Sequence, residues 1–163
     1  DFVSRRARQA GIAIQLNLPE HVVEVDADVG QIRQVLLNLL LNAMDAAPEG
    51  TEVTVGMSCE TADDVVVRPR NAGDACAWLK VAVADRGPGL PNELGDRIFE
   101  PFVSTKEAGT GLGLPICKRI VEEHSGTTFA ENNIEGGASV VVRLPLTQAD
   151  STQHPEFLVQ ATQ

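Results

Sequence analysis

Two asparagines one helical turn apart are the first residues of this sequence whose types and spacing could do chemistry. Asn38 and Asn42 lie in VLLNLLLNAMDAA, where a spacing of four places both amides on one face of a helix. Their neighbours are almost all apolar, so the helix is expected to be buried, and a buried amide without partners costs about 1–3 kcal/mol. A single such Asn is usually satisfied within the core, whereas two in register favour a ligand-facing role.

A second candidate lies at the end of the apolar stretch VAVADRGPG. Asp85 ends the predicted strand, and Gly87 and Gly89 follow around Pro88. A carboxylate held at a strand end can accept a hydrogen bond from an amine, and the glycines let a flat ring approach the backbone. Taken alone, an ordinary Asp-Gly turn is the commoner explanation of such a stretch.

The third candidate is GTGLGL, a glycine-rich segment at residues 109–114 that runs directly into a predicted helix. It is not a P-loop, because the sequence contains no Gly-Lys-Ser or Gly-Lys-Thr triplet, and it lacks the third glycine of a dinucleotide fingerprint. The unpaired N–H groups and the dipole of a helix N-terminus favour a phosphate. A loose surface loop explains the segment by itself almost equally well.

Hydrophobic periodicity predicts the elements that must position these residues. The order of strands and helices predicts an α/β (α+β) two-layer sandwich, with a mixed, largely antiparallel sheet of about five strands and about three helices on one face. Strands are expected at residues 12–18, 22–25, 51–59, 77–85, 126–133 and 138–146, and helices at 1–10, 26–47, 92–99 and 112–124.

Composition narrows the class of protein. A chain of 163 residues suits one domain with its own core, and a net charge of −10 argues against a nucleic-acid partner, which would need a basic surface. Three widely spaced cysteines, Cys59, Cys76 and Cys117, are expected to be free thiols in a reducing cytosol. No membrane span is recognised, and the missing initiator Met suggests a piece of a larger protein.

In this order, the three candidates resemble the ATP-binding catalytic domain of bacterial sensor histidine kinases. That domain has the Bergerat fold and belongs to the GHKL superfamily with gyrase-type ATPases and Hsp90. The resemblance covers roughly residues 11–145, and four motifs in order are far more specific than any one. QVLLNLLLNAMDAA is similar to the N box, DRGPG to the first glycine box, IFEPFVSTK to the F box and GTGLGLPICKRIVEEHSG to the second glycine box.

The resemblance implies a role for each matching residue. Asn42 would coordinate Mg²⁺ on the ATP phosphates, with Asn38 assisting one turn earlier. Asp85 would accept a hydrogen bond from the adenine amine, and Gly87 and Gly89 would make room for the ring.

The resemblance also implies a lid over the nucleotide. Gly109, Gly111 and Gly113 would shape its hinge and contact the phosphates, in a cofactor-binding segment that includes Thr110 and Leu112.

Three further residues are candidates near this lid and the adenine. Phe102, with Phe99, would pack the base of the lid, and Ser139 would help near Asp85 through a water. Lys106 is inferred from its position beside the glycines, where it would neutralise phosphate charge as a catalytic residue. A solvated lysine explains Lys106 equally well.

The implied reaction is transfer of the ATP γ-phosphate to a histidine. Hydrolysing relatives and anti-sigma serine kinases place a Glu general base where this sequence has Asn38, and an amide cannot accept a proton. A neutral imidazole attacks without a strong base, so Asn38 favours a histidine acceptor. His21, His124 and His154 lie in contexts unlike that of the family's phosphoacceptor, which is expected on an absent upstream dimerisation module.

Partners and location follow from the same resemblance. The full-length protein would be a cytoplasmic or membrane-anchored homodimer that phosphorylates the receiver domain of a response regulator, and this fragment alone would be a monomer. Residues 1–10 are expected to end an upstream linker or helix, 11–146 to form the catalytic domain and 147–163 to be a tail.

Two alternatives stay open. Many members of the family carry a Lys or His three residues after the metal-binding Asn and an aromatic next to it, and here these positions are Asp45 and Ala46. That departure leaves room for a non-enzymatic nucleotide-binding scaffold. A stand-alone ATPase or an anti-sigma serine kinase is the other alternative, which Asn38 disfavours.

Overall fold

The computed structural model describes residues 2–20, 23–61, 77–103 and 111–146, and in these residues three α-helices pack on one face of a five-stranded sheet. This arrangement confirms the predicted two-layer sandwich. The elements in chain order are α1 (Phe2–Gln9), β1 (Ala13–Asn17), α2 (Val29–Ala46), β2 (Glu52–Glu60), β3 (Trp78–Ala84), a short 3-10 helix (Gly95–Phe99), α3 (Gly113–Glu123), β4 (Thr127–Asn132) and β5 (Ala138–Pro145).

The sheet is mixed because its first connection is a crossover through α2. The strand order is β1-β2-β3-β5-β4, with β1 parallel to β2 and every other neighbouring pair antiparallel. The β3–β5 register pairs Ala84 with Ser139, which brings the residues that follow β3 next to the start of β5. This register decides what surrounds Asp85.

The core lies between the helices and the alternating side chains of the central strands. Val53, Val81 and Val142 point from the sheet to the helices, where Leu39 of α2 and Val121 of α3 are almost fully buried. The period-two pattern of the strands and the apolar faces of the helices therefore meet as the sequence predicts.

Local sequence sets the bounds of α2. The Asp28 carboxylate accepts a hydrogen bond from the Gln31 N–H at 2.9 Å and caps the helix N-terminus. At the other end Ala47 is extended, with φ −70° and ψ 133°, because the residue before a proline avoids the helical region. Between these ends the helix carries both candidate asparagines.

His124 joins α3 to the start of α2. Its Nε2 accepts a hydrogen bond from the Asp28 N–H at 3.0 Å, so the Nδ1–H donates to the Ile120 carbonyl at 2.8 Å. One neutral ring thus bridges the backbones of both helices. Since α2 and α3 form two walls of the cavity described below, this contact sets their spacing at one end.

Three predictions need correction. Of the strand predicted at residues 22–25, the described residues 23–25 form no strand, although Val23 and Val25 are partly buried against the core. The short helix predicted at 92–99 is a 3-10 helix preceded by turns. Cys59 is disulfide-bonded rather than free, because spacing along the chain does not show which segments the fold brings together.

Some predicted features lie outside the described residues. Most of the loop between β2 and β3 and the tail at 147–163 are among them, so the domain bounds stay predictions. Within the described part, no helix is long and apolar enough to span a membrane.

Candidate functional site

A cavity of about 620 Å³ lies between α2, the start of α3 and the loop at residues 85–90. Its volume is in the range of cofactor and small-molecule sites. Six residues predicted from the sequence contribute to its lining, namely Asn38, Asn42, Asp85, Gly89, Gly111 and Gly113. The fold therefore brings together motifs that are up to 75 residues apart.

Asp85 is buried at one end of this cavity and held by the backbone. Its Oδ1 accepts hydrogen bonds from the Gly87 N–H at 2.8 Å and the Ala138 N–H at 3.3 Å. Its own N–H donates to the Ala138 carbonyl at 2.9 Å. Because Oδ1 takes both N–H groups, Oδ2 is the oxygen left to accept a hydrogen bond from a ligand.

Close approach of the backbone explains the glycines around Asp85. A β-carbon on Gly87 would lie 2.5 Å from the Ala46 carbonyl oxygen and 2.9 Å from Asp85 Oδ1. A β-carbon on Gly137 would collide with the Asp85 carbonyl, and φ at Gly137 is +83°, where side chains are strained. The loop can hold Asp85 in this position only with glycine at both places.

Two asparagines that the sequence reasoning missed brace the same loop. Asn132 accepts from the Leu90 N–H at 2.6 Å and donates to the Leu90 carbonyl at 2.9 Å. Asn133 donates to the Asp85 carbonyl at 3.3 Å. Asparagine in a hairpin is ordinarily a turn residue, so only the sheet register could have indicated this role.

Ser139 does not line the cavity. Its buried hydroxyl donates to Asn133 Oδ1 at 2.6 Å, and Asn133 in turn contacts Asp85. The described contacts thus link Ser139 to Asp85 through Asn133, and its role through a water stays a prediction.

At the other end of the cavity, the two asparagines of α2 face the start of α3. Asn38 Nδ2 donates to the Gly113 carbonyl at 3.4 Å, and Asn42 Nδ2 lies 3.5 Å from the position of a β-carbon on Gly113. Leu112, the N-cap residue of α3, makes no side-chain hydrogen bond. The N–H groups of the first helical turn are donors of the kind that favour an anion.

The two phenylalanines near this end differ in environment. Phe99 is buried, with Lys118 Nζ 5.9 Å from its ring centroid, whereas Phe102 is 80% exposed and lies outside the cavity lining. Phe102 also has a φ of +66°, rare for a bulky residue, and its N–H donates to the Gly111 carbonyl at 3.0 Å. Leu112 is 37% exposed and does not line the cavity either.

Three predicted residues lie outside the described part of the chain. They are Lys106, Gly109 and Thr110, and their roles stay predictions.

The lining that the structure describes is acidic. It contains the carboxylates of Asp45 and Asp85 and, among the described residues, no Lys or Arg. Cys117, beneath Asn38, is fully buried, and burial raises the pKa of its thiol to about 11. It is therefore a neutral packing residue rather than a nucleophile.

Comparison with known proteins identifies the class. Residues 27–148 match the family of histidine kinase-, DNA gyrase B-, and HSP90-like ATPases, and the chain belongs to this family. The sequence-based assignment is thereby confirmed, and so is ATP as the nucleotide of this domain.

Similar proteins narrow the class further. The catalytic domain of histidine kinase ThkA is 30% identical, with a TM-score of 0.73 over 89% of this chain and 86% of that one. The C4-dicarboxylate transport sensor protein DctS of Rhodobacter capsulatus is 37% identical over 87% of this chain. Sporulation kinase C of Bacillus subtilis is 38% identical over 75%. The chain spans only 20% and 25% of these last two proteins.

Proposed function

We propose that the chain binds Mg-ATP in this cavity and donates the γ-phosphate to a histidine on a separate helical module. The observation that carries the proposal is that one cavity has a hydrogen-bond acceptor at one end and a helix N-terminus at the other. Asp85 presents a fixed carboxylate at one end, and Asn42 faces the start of α3 at the other. Full-length ShkA, 30% identical with a TM-score of 0.73, has been solved in complex with AMPPNP, which supports this reading.

The base would bind at the Asp85 end. Oδ2 accepts from the exocyclic amine of adenine, while the two N–H groups on Oδ1 keep the carboxylate from turning away. A guanine would present a carbonyl oxygen there, and two acceptors repel, so this end selects adenine.

The phosphates would bind at the Asn42 end. The first-turn N–H groups of α3 donate to phosphate oxygens, and the helix dipole favours their charge. These donors matter because the described lining offers no cation.

The residues present fit Mg²⁺ held mainly by phosphate. Asn42 and Asn38 offer amide oxygens, and among the described residues no group of three His, Cys, Asp or Glu could hold a metal by itself. Mg²⁺ commonly takes one or two protein ligands together with substrate phosphates and water. When bound, it would neutralise the phosphate charge.

Transfer to histidine fits the cavity better than hydrolysis does. Asn38 is bonded to the start of α3 and cannot act as a base, Asp85 is engaged at the base end and Asp45 is ion-paired with Arg6. A neutral imidazole needs no base for its attack, so these residues only have to position the phosphate.

The remaining partners follow from the relatives. ThkA has been solved in complex with the response regulator protein TrrA, which supports a response regulator as the next phosphate acceptor. The upstream helices would supply the histidine and a homodimer interface, and the reaction would take place in the cytoplasm.

Calorimetric titration with two ligands tests both ends separately. Asn42→Ala is expected to weaken Mg-ATP binding at least about tenfold and to leave adenosine binding unchanged, because it removes a phosphate-end contact. Asp85→Asn is expected to weaken ATP and adenosine alike, by about tenfold or more. Asn17→Ala, an exposed change on edge strand β1, should match the wild type for both ligands.

A folded wild type that binds no ATP would contradict the proposal, as would identical behaviour of the two site variants. Incubation with γ-labelled ATP then separates the reactions. Acid-labile label on an added histidine-bearing module indicates transfer, rapid release of free phosphate indicates an ATPase, and binding with neither indicates a scaffold.

A further inference from the structure

Asp45 places a negative charge on the cavity side of α2. It follows Asn42 by three residues, so it lies on the same face of the helix, and it lines the same cavity. The only other carboxylate in the described lining is that of Asp85. A carboxylate one turn from Asn42 would repel a nucleotide triphosphate unless another group compensates it.

One compensating charge comes from α1. Arg6 NH2 donates to Asp45 Oδ1 at 3.0 Å, across 39 residues of sequence. Asp45 and Leu41 also line a second cavity, of about 300 Å³, whose other walls include Phe2 and Arg6 of α1. Asp45 therefore stands between two cavities, with α1 on one side and the candidate nucleotide site on the other.

Stability does not account for this ion pair. The two side chains are 51% and 36% exposed, and an exposed pair contributes little to folding. α1 is already anchored by the buried Ala7, whose carbonyl accepts from the Ile12 N–H at 2.9 Å. The charge of Arg6 or Asp45 can thus be removed by substitution with little effect on the fold.

We propose that Arg6 is a positioning residue of the nucleotide site, which offsets the charge of Asp45 and makes ATP affinity depend on the contact of α1 with α2. The inference rests on the proposed function. It also gives α1 a defined role, because displacement of this helix removes a positive charge from beside Asp45.

A double-mutant cycle on the whole chain tests the role. Arg6→Gln is expected to weaken Mg-ATP binding about fivefold to tenfold, as the loss of one positive charge near a triphosphate should, and to leave adenosine binding unchanged. Asp45→Asn is expected to bind ATP as well as the wild type or better. The double variant should match Asp45→Asn, because no charge is then left to compensate.

Two variants on α1 serve as controls. Arg6→Lys keeps the charge and should remain within about twofold of the wild type. Arg8→Gln makes the same change on the same helix, where the side chain is exposed and bonded to the Ser4 carbonyl, and should have no effect. Thermal unfolding of every variant checks that each is folded.

Three results would overturn the inference. They are unchanged ATP binding in Arg6→Gln, equal loss of ATP and adenosine, and a double variant as weak as Arg6→Gln. Each is distinct from failure of the proposed function, in which the wild type itself binds no ATP.

Discussion

At the base end of the cavity, backbone groups and Asn133 hold Asp85 through four hydrogen bonds, whereas at the phosphate end the Asn38 amide reaches the Gly113 carbonyl at 3.4 Å. The first arrangement fixes a side chain in a direction that a ligand can use. At the second end, the N-cap residue Leu112 makes no side-chain hydrogen bond, so the described side chains hold the start of α3 less closely.

This difference separates two requirements of a kinase domain. Selecting adenine needs a hydrogen-bond acceptor that is already in position. If the carboxylate were mobile, ordering it on binding would lower the affinity for the ligand. Transferring phosphate needs a site that can admit a second reactant and release ADP. The base end should therefore be sensitive to small changes in its backbone, and the phosphate end tolerant of them.

The largest expected effect is at Gly137. Gly137→Ala should lower the free energy of unfolding by about 3 kcal/mol, because a β-carbon meets the Asp85 carbonyl at a φ of +83°. Its neighbour Gly136 is the matched control, with a φ of +95° and open space around a β-carbon. Gly136→Ala should cost about 1 kcal/mol, from backbone strain alone.

Urea unfolding of both glycine variants measures the difference. Equal destabilisation would show that the backbone around Asp85 is not closely packed, and the contrast between the two ends would then disappear.

A smaller effect is expected at Cys117, beneath the phosphate end. Burial raises the pKa of its thiol from 9.0 to about 11, so the unfolded chain loses this proton first as pH rises. The free energy of unfolding should therefore fall between pH 9 and 11, by up to about 2 kcal/mol. The sequence contains no tyrosine, which simplifies alkaline titrations.

The comparison for this prediction is Cys117→Ala. That variant should be less stable at neutral pH but should lack this part of the alkaline decline. Parallel pH profiles would mean that water reaches the thiol, and hence that the packing of α2 on α3 is looser than described.

The smallest effect is expected at Phe102. Phe102→Ala should change the free energy of unfolding by no more than about 0.5 kcal/mol, since the ring is 80% exposed. Phe99→Ala, three residues earlier and buried, should cost about 3 kcal/mol. Thermal unfolding compares the pair, and a large loss at Phe102 would show that its ring packs at the lid base as the sequence suggested.

The sequence predicted the motifs of both ends because each one is local. Asn38 and Asn42 are one helical turn apart, and Asp85 is followed directly by its glycines. The types of these residues indicate which ligand groups they can bind, and the order of the motifs along the chain indicates the family. The layer arrangement was predictable for the same reason, since periods of 2 and 3.6 are visible within single elements.

The supporting contacts were not predictable because they span the fold. Asn133 meets Asp85 across 48 residues, and Arg6 meets Asp45 across 39. These meetings depend on strand register and helix packing, which no local pattern specifies. The strand wrongly predicted at 22–25 has a similar origin, since β-propensity indicates only a side chain that fits a half-buried surface.

The imidazole of His124 fixes one end of α3, so a small tilt of the helix moves its other end furthest. The ring ties the last turn of α3 to the backbone of Asp28, while Gly113 at the opposite end faces the phosphate site. With 11 residues, α3 is about 16 Å long, so a tilt of about 5° around His124 displaces its N-terminus by about 1.4 Å. That displacement exceeds the tolerance of a hydrogen bond. If phosphates bind at the start of α3 as proposed, the contacts of His124 at the far end of the helix would therefore affect how tightly they are held.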